Sequence, residues 1–208
     1  MGPAISPVTP LVLGSASPRR REILTHLGIP IRVLPADVPE EVQSGESPEA
    51  YLQRIVRDKL RGVLARLQAE AARDVSGVLV ADTIVLLDER ILGKPRDVAE
   101  AAELLRALCG REHRVYTRYA LSRAGEGAQP LVERSVESRV WLREASGDEI
   151  QRYAGTGEGL DKAGAYAVQG VGAFLVRRIE GSYSNVVGLP ACEVVEDLSK
   201  SGLLERFP

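Results

Sequence analysis

The chain is poor in the residues that build several common kinds of site. It has two cysteines, Cys109 and Cys192, which are too few for a disulfide framework and lack the spacing of a metal site. It has two histidines, His26 and His113, which disfavours both a histidine zinc site and a Ser–His–Asp triad. We therefore expect free thiols in a cytoplasmic protein, and any bound metal should be a hard cation held by carboxylates.

A surplus of charge and a long apolar run are also missing. The chain has 27 basic and 29 acidic residues and a net charge of -2, so it has no basic excess to neutralise a nucleic-acid backbone. No apolar stretch approaches the roughly 18 residues that span a bilayer, and no signal-peptide pattern opens the chain. These absences predict a protein that binds neither nucleic acid nor a membrane.

Lysine is the scarce basic residue, because only Lys59, Lys94, Lys162 and Lys200 accompany the arginines. A lysine kept in such a chain can mark a place that needs a compact charge, which a planar guanidinium cannot replace; the alternative is chance. Lys59 lies in the apolar row of a long helix predicted to begin at Ser47 and Pro48. There it either extends to the edge of the apolar face or meets a buried acid.

The pattern of apolar residues predicts one mixed α/β domain over residues 1–208. Short apolar runs followed by helix caps are typical of parallel β–α units in the first half of the chain. Alternating residues at 113–123 and 131–142 predict two antiparallel strands. We expect a long twisted sheet flanked by helices in two lobes, with a further strand over 172–181 and a final helix from near Pro190.

The stretch "SASPRRREIL", residues 15–24, places three consecutive arginines at the start of a predicted helix. Ser17 suits the N-cap and Pro18 the first helical position. Cations in the first turn oppose the helix dipole, a cost that makes sense if the site holds phosphate. A solvated basic surface is the alternative interpretation.

Asp82 interrupts the apolar run of a predicted strand over residues 77–87. A carboxylate there is costly unless it is paired or binds a cation. At the end of a parallel strand it would face the crevice where α/β proteins bind ligands. Asp82 belongs to a larger set of charged and polar residues that stand out in the sequence. Together they suit phosphoryl chemistry, in which positioning and charge neutralisation supply most of the catalysis. The other members of the set are Arg19, Arg20, Glu40, Lys59, Lys94, Asp161, Lys162 and Gln169.

Seven blocks resemble, in order, the Maf family of nucleoside triphosphate pyrophosphatases. The resemblance runs nearly from end to end, through "SASPRR", "VPEE", "RDK", "ADTIV", "LGKPRD", "LDKAGAYAVQG" and "GSYSNVVGLP". It implies a Maf/ITPase-like fold with the active-site cleft between two lobes. It also implies hydrolysis of a nucleoside triphosphate to the monophosphate and pyrophosphate, with a divalent cation, Mg²⁺ or Mn²⁺. The oligomeric state stays open, and a homodimer is the assembly to test.

The resemblance also implies roles at matching positions. Asp82 corresponds to the proton acceptor that activates the attacking water, and Glu40, Lys59 and Lys94 correspond to residues that handle metal and phosphate. The metal ligands would be Glu40 and Asp82, although the sequence leaves Glu41 as the alternative to Glu40. The implied substrate-binding residues are Ser15, Ser17, Arg19, Arg20, Thr83, Asp161, Lys162 and Gln169. Three of them, Arg19, Thr83 and Gln169, match positions for base selection.

The branch of the family can be argued from "ADT" and "KAGAYAVQG", which resemble the branch acting on dTTP and UTP. The methylated-guanine branch tends to carry "SDQ" instead. The amide of Gln169 can donate to a carbonyl and accept from N3–H of uracil or thymine. The alternatives are a 7-methyl-GTP pyrophosphatase, a housekeeping hydrolase of modified nucleotides, and a nucleotide-binding regulator of septum formation. Asp82 favours an enzyme, because a binding module needs no water-activating acid.

Overall fold

The computed structural model describes residues 3–72, 74–125, 127 and 129–208. Its helices and strands are, in chain order, β1 (Leu11–Leu13), α1 (Pro18–His26), β2 (Ile31–Val33), α2 (Pro48–Ala69), β3 (Gly77–Leu87), β4 (Arg90–Leu92), α3 (Val98–Leu108), β5 (Glu112–Arg123), β6 (Val132–Leu142), α4 (Gly147–Gly155), β7 (Val176–Gly181), α5 (Tyr183–Val187) and α6 (Ala191–Lys200). Within these described residues, no helix is long and apolar enough to cross a membrane.

The strands form one mixed sheet of seven strands. Its order is β2-β1-β3-β5-β6-β7, and β4 pairs with β3. β1 is parallel to both β2 and β3, whereas β4 is antiparallel to β3 and β7 is antiparallel to β6. The mixed α/β sheet flanked by helices that the sequence predicts is therefore confirmed.

The chain divides into two compact units. The first comprises Met1–Asp82, Thr117–Ser135 and Gly188–Pro208, and the second comprises Thr83–Tyr116 and Val136–Val187. Each unit has its own apolar core, because the apolar face of a sheet must be buried against other elements.

In the first unit, α2 packs its apolar row against the parallel strands. Val56, Leu60 and Val63 of α2 belong to the same buried cluster as Val12 and Val80 of the strands. Gly14, at the end of β1, makes this packing possible, because a Cβ there would lie 2.6 Å from the Val80 side chain and 2.7 Å from that of Val63. The row that buries these residues also buries Lys59.

In the second unit, α3 and α4 contribute to the core. Leu105 and Leu108 of α3 cluster with Ile150 and Tyr153 of α4. Ser146 and Glu149 form a reciprocal capping box at the start of α4.

One predicted strand is wrong over its first half. The expected strand at 172–181 begins only at Val176, and Val171–Leu175 forms a short 3-10 helix. The reason is a side chain from an earlier part of the chain. The backbone N–H groups of Val171 and Gly172 donate to the Glu158 carboxylate, at 2.9 and 2.7 Å, and are therefore not available to a neighbouring strand.

Candidate active site

Asp82 lies on β3 and is almost completely buried, with 8% of its surface exposed. Apart from Thr83, the residues that flank it on the strand are apolar, so the carboxylate needs a partner that offsets its desolvation. Lys59 supplies it, because its Nζ donates to Asp82 Oδ1 at 2.7 Å.

The Lys59 side chain forms a buried ion pair and does not extend to the edge of the apolar face. Besides Asp82, its ammonium contacts Glu40 Oε1 at 2.7 Å. The ammonium and Asp82 are both buried, so removing the ammonium would leave the Asp82 charge without this compensation, which is far more destabilising than the loss of a surface pair. Helix α2 thus brings one cation to two carboxylates that lie far apart in the sequence.

The structure also distinguishes Glu40 from Glu41. The Glu40 side chain lies on Lys59 and is 48% exposed, so it is open to solvent on its other side. Glu41 contributes a backbone carbonyl, which accepts from Arg54 Nη2 at 2.9 Å. Of the two, Glu40 is therefore the acid that shares the Lys59 ammonium with Asp82.

Two residues of α2 fix the loop that carries Glu40. The Tyr51 hydroxyl donates to the Glu40 carbonyl at 3.0 Å. Arg54 donates from Nε and Nη2 to the two carboxylate oxygens of Glu46, both at 2.7 Å, and holds the pKa of that carboxyl down to about 2. The loop is therefore tied to the helix that presents Lys59, and sequence reasoning missed both ties. A buried tyrosine on a helix face is the signal that could have found Tyr51, because its hydroxyl needs a partner.

The donor set around Lys59 fits a hard divalent cation. Glu40 Oε1 and Asp82 Oδ1 each lie 2.7 Å from the same nitrogen, so they are no further apart than twice that distance. Carboxylate oxygens are the ligands that Mg²⁺ and Mn²⁺ prefer, and Mg²⁺ is usually held by one or two of them together with water and substrate phosphates. Among the described residues, no group of three or more His, Cys, Asp and Glu side chains forms a cage. The two acids therefore suit an ion that shares its coordination with a phosphate.

The arginine-rich helix start is built as the sequence predicts, with Ser17 accepting from the backbone N–H of Arg20. The Arg20 side chain turns inward. Its Nε donates to the Gly188 carbonyl at 2.8 Å, and its Nη1 donates to Ser15 Oγ at 3.0 Å and to the Ala81 carbonyl at 2.8 Å. Burial lowers the pKa of Arg20, while the Asp82 carboxylate acts in the opposite direction. Arg20 thus fixes the backbone next to Asp82 as well as adding positive charge there.

The first unit therefore brings together five of the predicted site residues: Ser15, Arg20, Glu40, Lys59 and Asp82. Ser17 caps α1, and Arg19 is half-buried in its first turn.

The remaining predicted residues belong to the second unit. Thr83 follows Asp82 on β3, so the two side chains point to opposite faces of the strand. Lys94 is exposed after β4, and Gln169 is exposed on the loop before Val171. The ammonium of Lys162 pairs with Asp161 and also donates to the Glu158 carbonyl.

The chain is similar to known proteins over nearly its whole length. The family model described as Maf-like protein matches residues 10–201. A "dTTP/UTP pyrophosphatase" of Myxococcus xanthus is 50% identical over 195 residues, which cover 94% of each chain. A "dTTP/UTP pyrophosphatase" of Geobacter sp. strain M21 is 47% identical over 195 residues, covering 93% of this chain and 96% of that one. A solved HAM1 protein from Coxiella burnetii is 15% identical with a TM-score of 0.47 over 90% of this chain and 99% of that one, which is too remote to bear on function.

Proposed function

The chain belongs to the Maf family, and on that premise we propose that it hydrolyses dTTP and UTP to the nucleoside monophosphate and pyrophosphate. The observation that carries the proposal is the buried Lys59 ammonium, which lies 2.7 Å from both Glu40 and Asp82. A protein that only bound nucleotides would have no use for a buried, charge-compensated carboxylate beside a second acid. The same arrangement suits an enzyme that must activate water next to phosphates.

Asp82 is proposed as the group that accepts the proton of the attacking water. The water oxygen forms a new bond to phosphorus, and the anhydride bond between the α- and β-phosphates breaks. Its electron pair leaves with pyrophosphate, and one water proton passes to the Asp82 carboxylate. Lys59 orients the Asp82 oxygen for this transfer through the bond from Nζ to Oδ1.

Charge neutralisation is the second requirement of the reaction. Glu40 and Asp82 would hold a divalent cation, Mg²⁺ or Mn²⁺, which when bound withdraws charge from the phosphate oxygens. From the family resemblance, Lys94 is proposed to contact the phosphates. Arg20 supports the site through Ser15 and the backbone, and its positive charge acts on Asp82.

Base selection is proposed to reside in Gln169, together with Thr83 and Arg19. An amide can donate to a pyrimidine carbonyl and accept from N3–H, a pairing that uracil and thymine offer. Cytosine presents an acceptor at N3 and would leave a polar group unpaired. A site that relies on such hydrogen bonds can reject the wrong partner by up to about 10⁴-fold.

A panel of nucleotides tests the proposal. The purified chain is incubated with dTTP, UTP, CTP, GTP and 7-methyl-GTP, each with Mg²⁺, Mn²⁺ or excess EDTA, and released pyrophosphate and monophosphate are measured. We expect turnover of dTTP and UTP above the other nucleotides and loss of turnover in EDTA. A preference for 7-methyl-GTP would assign the other branch, an even rate on all would indicate a broad hydrolase, and binding without turnover would indicate a regulator.

A further inference from the structure

The loop that carries Gln169 is held by two side chains from the end of α4. Glu158, three residues beyond the helix, makes most of these bonds. Its Oε1 accepts from Val171 N at 2.9 Å, and its Oε2 accepts from Gly172 N at 2.7 Å. Oε2 also accepts from the Tyr153 hydroxyl at 2.8 Å. One carboxylate therefore binds the backbone on the C-terminal side of Gln169 and a tyrosine at the same time.

Tyr153 holds the loop on the other side of Gln169, and we call Tyr153 and Glu158 together the clamp. It lies in the last turn of α4 with 3% of its surface exposed, and its hydroxyl accepts from Ala167 N at 3.1 Å. That hydroxyl donates its own proton to Glu158. The backbone two residues before Gln169 and the backbone two residues after it are thus joined through a single Tyr153–Glu158 pair.

Two glycines allow the clamp to close. A Cβ at Gly170 would lie 2.3 Å from Glu158 Oε1, and Gly170 also has a positive φ of 76°. A Cβ at Gly172 would lie 2.3 Å from the Tyr153 hydroxyl and 2.5 Å from the Ala167 carbonyl. Because the loop has no side chain at these two positions, the carboxylate and the hydroxyl can reach the backbone directly.

The charge state of Glu158 suits this role. Burial disfavours the carboxylate, but the N–H groups of Gly172 and Val171 and the Tyr153 hydroxyl outweigh it, and the pKa of Glu158 falls below its usual range. The carboxylate is therefore ionised at neutral pH and accepts hydrogen bonds with both oxygens. Charge-assisted bonds of this kind are about twice as strong as neutral ones.

We propose that Tyr153 and Glu158 are positioning residues that set the enzyme's preference among bases by fixing the backbone around Gln169. The inference rests on the proposed function, because it assigns a cause to the base selection proposed there. Gln169 itself is exposed, so burial does not hold its side chain in place. Its position is instead imposed by the bonds at Ala167, Val171 and Gly172.

The test is the ratio of kcat/KM for UTP over CTP in Glu158→Gln. A glutamine has the same shape, but its NH₂ group would face one of the two backbone N–H donors. We expect the ratio to fall by about 10- to 100-fold, the scale of effect that a displacement of about 1 Å produces. The loss should appear mainly as a higher KM for UTP, while CTP turnover changes little.

The matched control is Glu149→Gln, in the first turn of α4. Glu149 also accepts from a backbone N–H, that of Ser146, and from Arg143, and glutamine retains the capping box. We expect this variant to keep the wild-type ratio. Tyr153→Phe provides a second arm that removes the bond to Ala167 but keeps the ring. It should also lower the ratio, and it decides the matter if Glu158→Gln does not fold.

The outcomes separate the inference from the proposed function. If wild type prefers UTP and both clamp variants lose UTP and CTP turnover equally, the residues are only structural and the inference is overturned. Glu158→Gln is also made in the Gln169→Glu background. If it lowers the ratio of kcat/KM for UTP over CTP in the wild-type background but lowers it no further in the double variant, Glu158 and Gln169 act through one route, as proposed. If wild type hydrolyses neither nucleotide, the proposed function is contradicted and the inference falls with it.

Discussion

The ammonium of Lys59 accounts for why a chain so rich in arginine keeps a lysine at this position. A compact charge can lie 2.7 Å from both Glu40 and Asp82, whereas a guanidinium is wider and planar. We expect Lys59→Arg to lower kcat/KM for UTP by about 10²-fold or more, the scale of losing one group that positions charge in the transition state. Lys94→Arg should also impair hydrolysis, because the proposed phosphate contact needs a point charge.

The control for both variants is Lys200→Arg. Lys200 is exposed on α6, 3.4 Å from Glu196, in an i,i+4 surface pair that contributes little to stability. Its replacement should leave steady-state hydrolysis unchanged. Comparable losses at all three positions would mean that the surviving lysines carry no special role.

His113 is a second residue whose environment makes a measurable prediction. It is 2% exposed, its Nε2 lies 2.8 Å from the Tyr166 hydroxyl, and burial lowers its pKa to about 4. An unfolded histidine has a pKa near 6.5, so between about pH 6.5 and 4 the unfolded chain takes up a proton that the folded chain does not. The stabilisation from neutral His113 is complete above pH 6.5 and is lost as the pH falls towards 4.

Urea unfolding at pH 7 and pH 5 checks this prediction. Wild type should lose about 2 kcal/mol more stability between these values than His113→Gln, which keeps an amide near Tyr166 but does not titrate. His26→Gln, at an exposed histidine, should lose as much as wild type. If His113→Gln shows the same loss as wild type, the histidine is not buried in its neutral form.

At the scale of elements, α2 does more than supply Lys59. Through Tyr51 it also holds the backbone of Glu40, with a hydrogen bond of 3.0 Å to the carbonyl. Tyr51→Phe keeps the ring in the core and removes only this bond. Groups that orient metal ligands typically contribute 10- to 100-fold to metal affinity or activity, so we expect the Mg²⁺ concentration for half-maximal hydrolysis to rise by about 10-fold.

The control is Tyr116→Phe, which likewise removes a tyrosine hydroxyl that donates a hydrogen bond, here to the Glu137 carboxylate, and with it the bond that this hydroxyl accepts from Arg114. It should leave the Mg²⁺ dependence as in wild type. An unchanged Mg²⁺ dependence in Tyr51→Phe would mean that the Glu40 loop keeps its position without the helix.

Local signals predicted the element boundaries well where a side chain caps its own helix. Ser17 and Ser47 each accept a backbone N–H three residues on, as the sequence predicts. The strand predicted at 172–181 failed at its start because its first N–H group, that of Gly172, is bound by Glu158, fourteen residues earlier in the chain. No local pattern reveals a bond of that kind.

The candidate site shows the same limit. The sequence identified Lys59 and Asp82 as unusual because each interrupts an apolar pattern. It could not choose between an extended Lys59 and a paired one, or between Glu40 and Glu41, because both choices depend on where a loop returns to the helix. The structure answers them through the bonds from Tyr51 and Lys59 to Glu40.

At the scale of the whole molecule, the two compact units hold different parts of the proposed reaction. Glu40, Lys59 and Asp82 belong to the first unit, and Gln169 with its clamp belongs to the second. Gln169→Glu should therefore lower the ratio of kcat/KM for UTP over CTP, because it removes the amide donor and places a charge against a ring carbonyl. The Mg²⁺ dependence should stay as in wild type. A changed metal requirement with an unchanged ratio would assign Gln169 to the wrong task.

Asp82 is proposed to activate the water that splits the triphosphate. The most direct test is the single-turnover rate of pyrophosphate release from UTP at saturating Mg²⁺ in Asp82→Asn, which keeps the shape and removes the charge. Asp58→Asn serves as the control, since Asp58 precedes Lys59 on α2 and pairs only with Arg61 among the ion pairs of the described residues. We predict a loss of about 10²–10⁴-fold in Asp82→Asn with the fold intact, and none in Asp58→Asn. A folded Asp82→Asn that releases pyrophosphate at the wild-type rate would contradict the account.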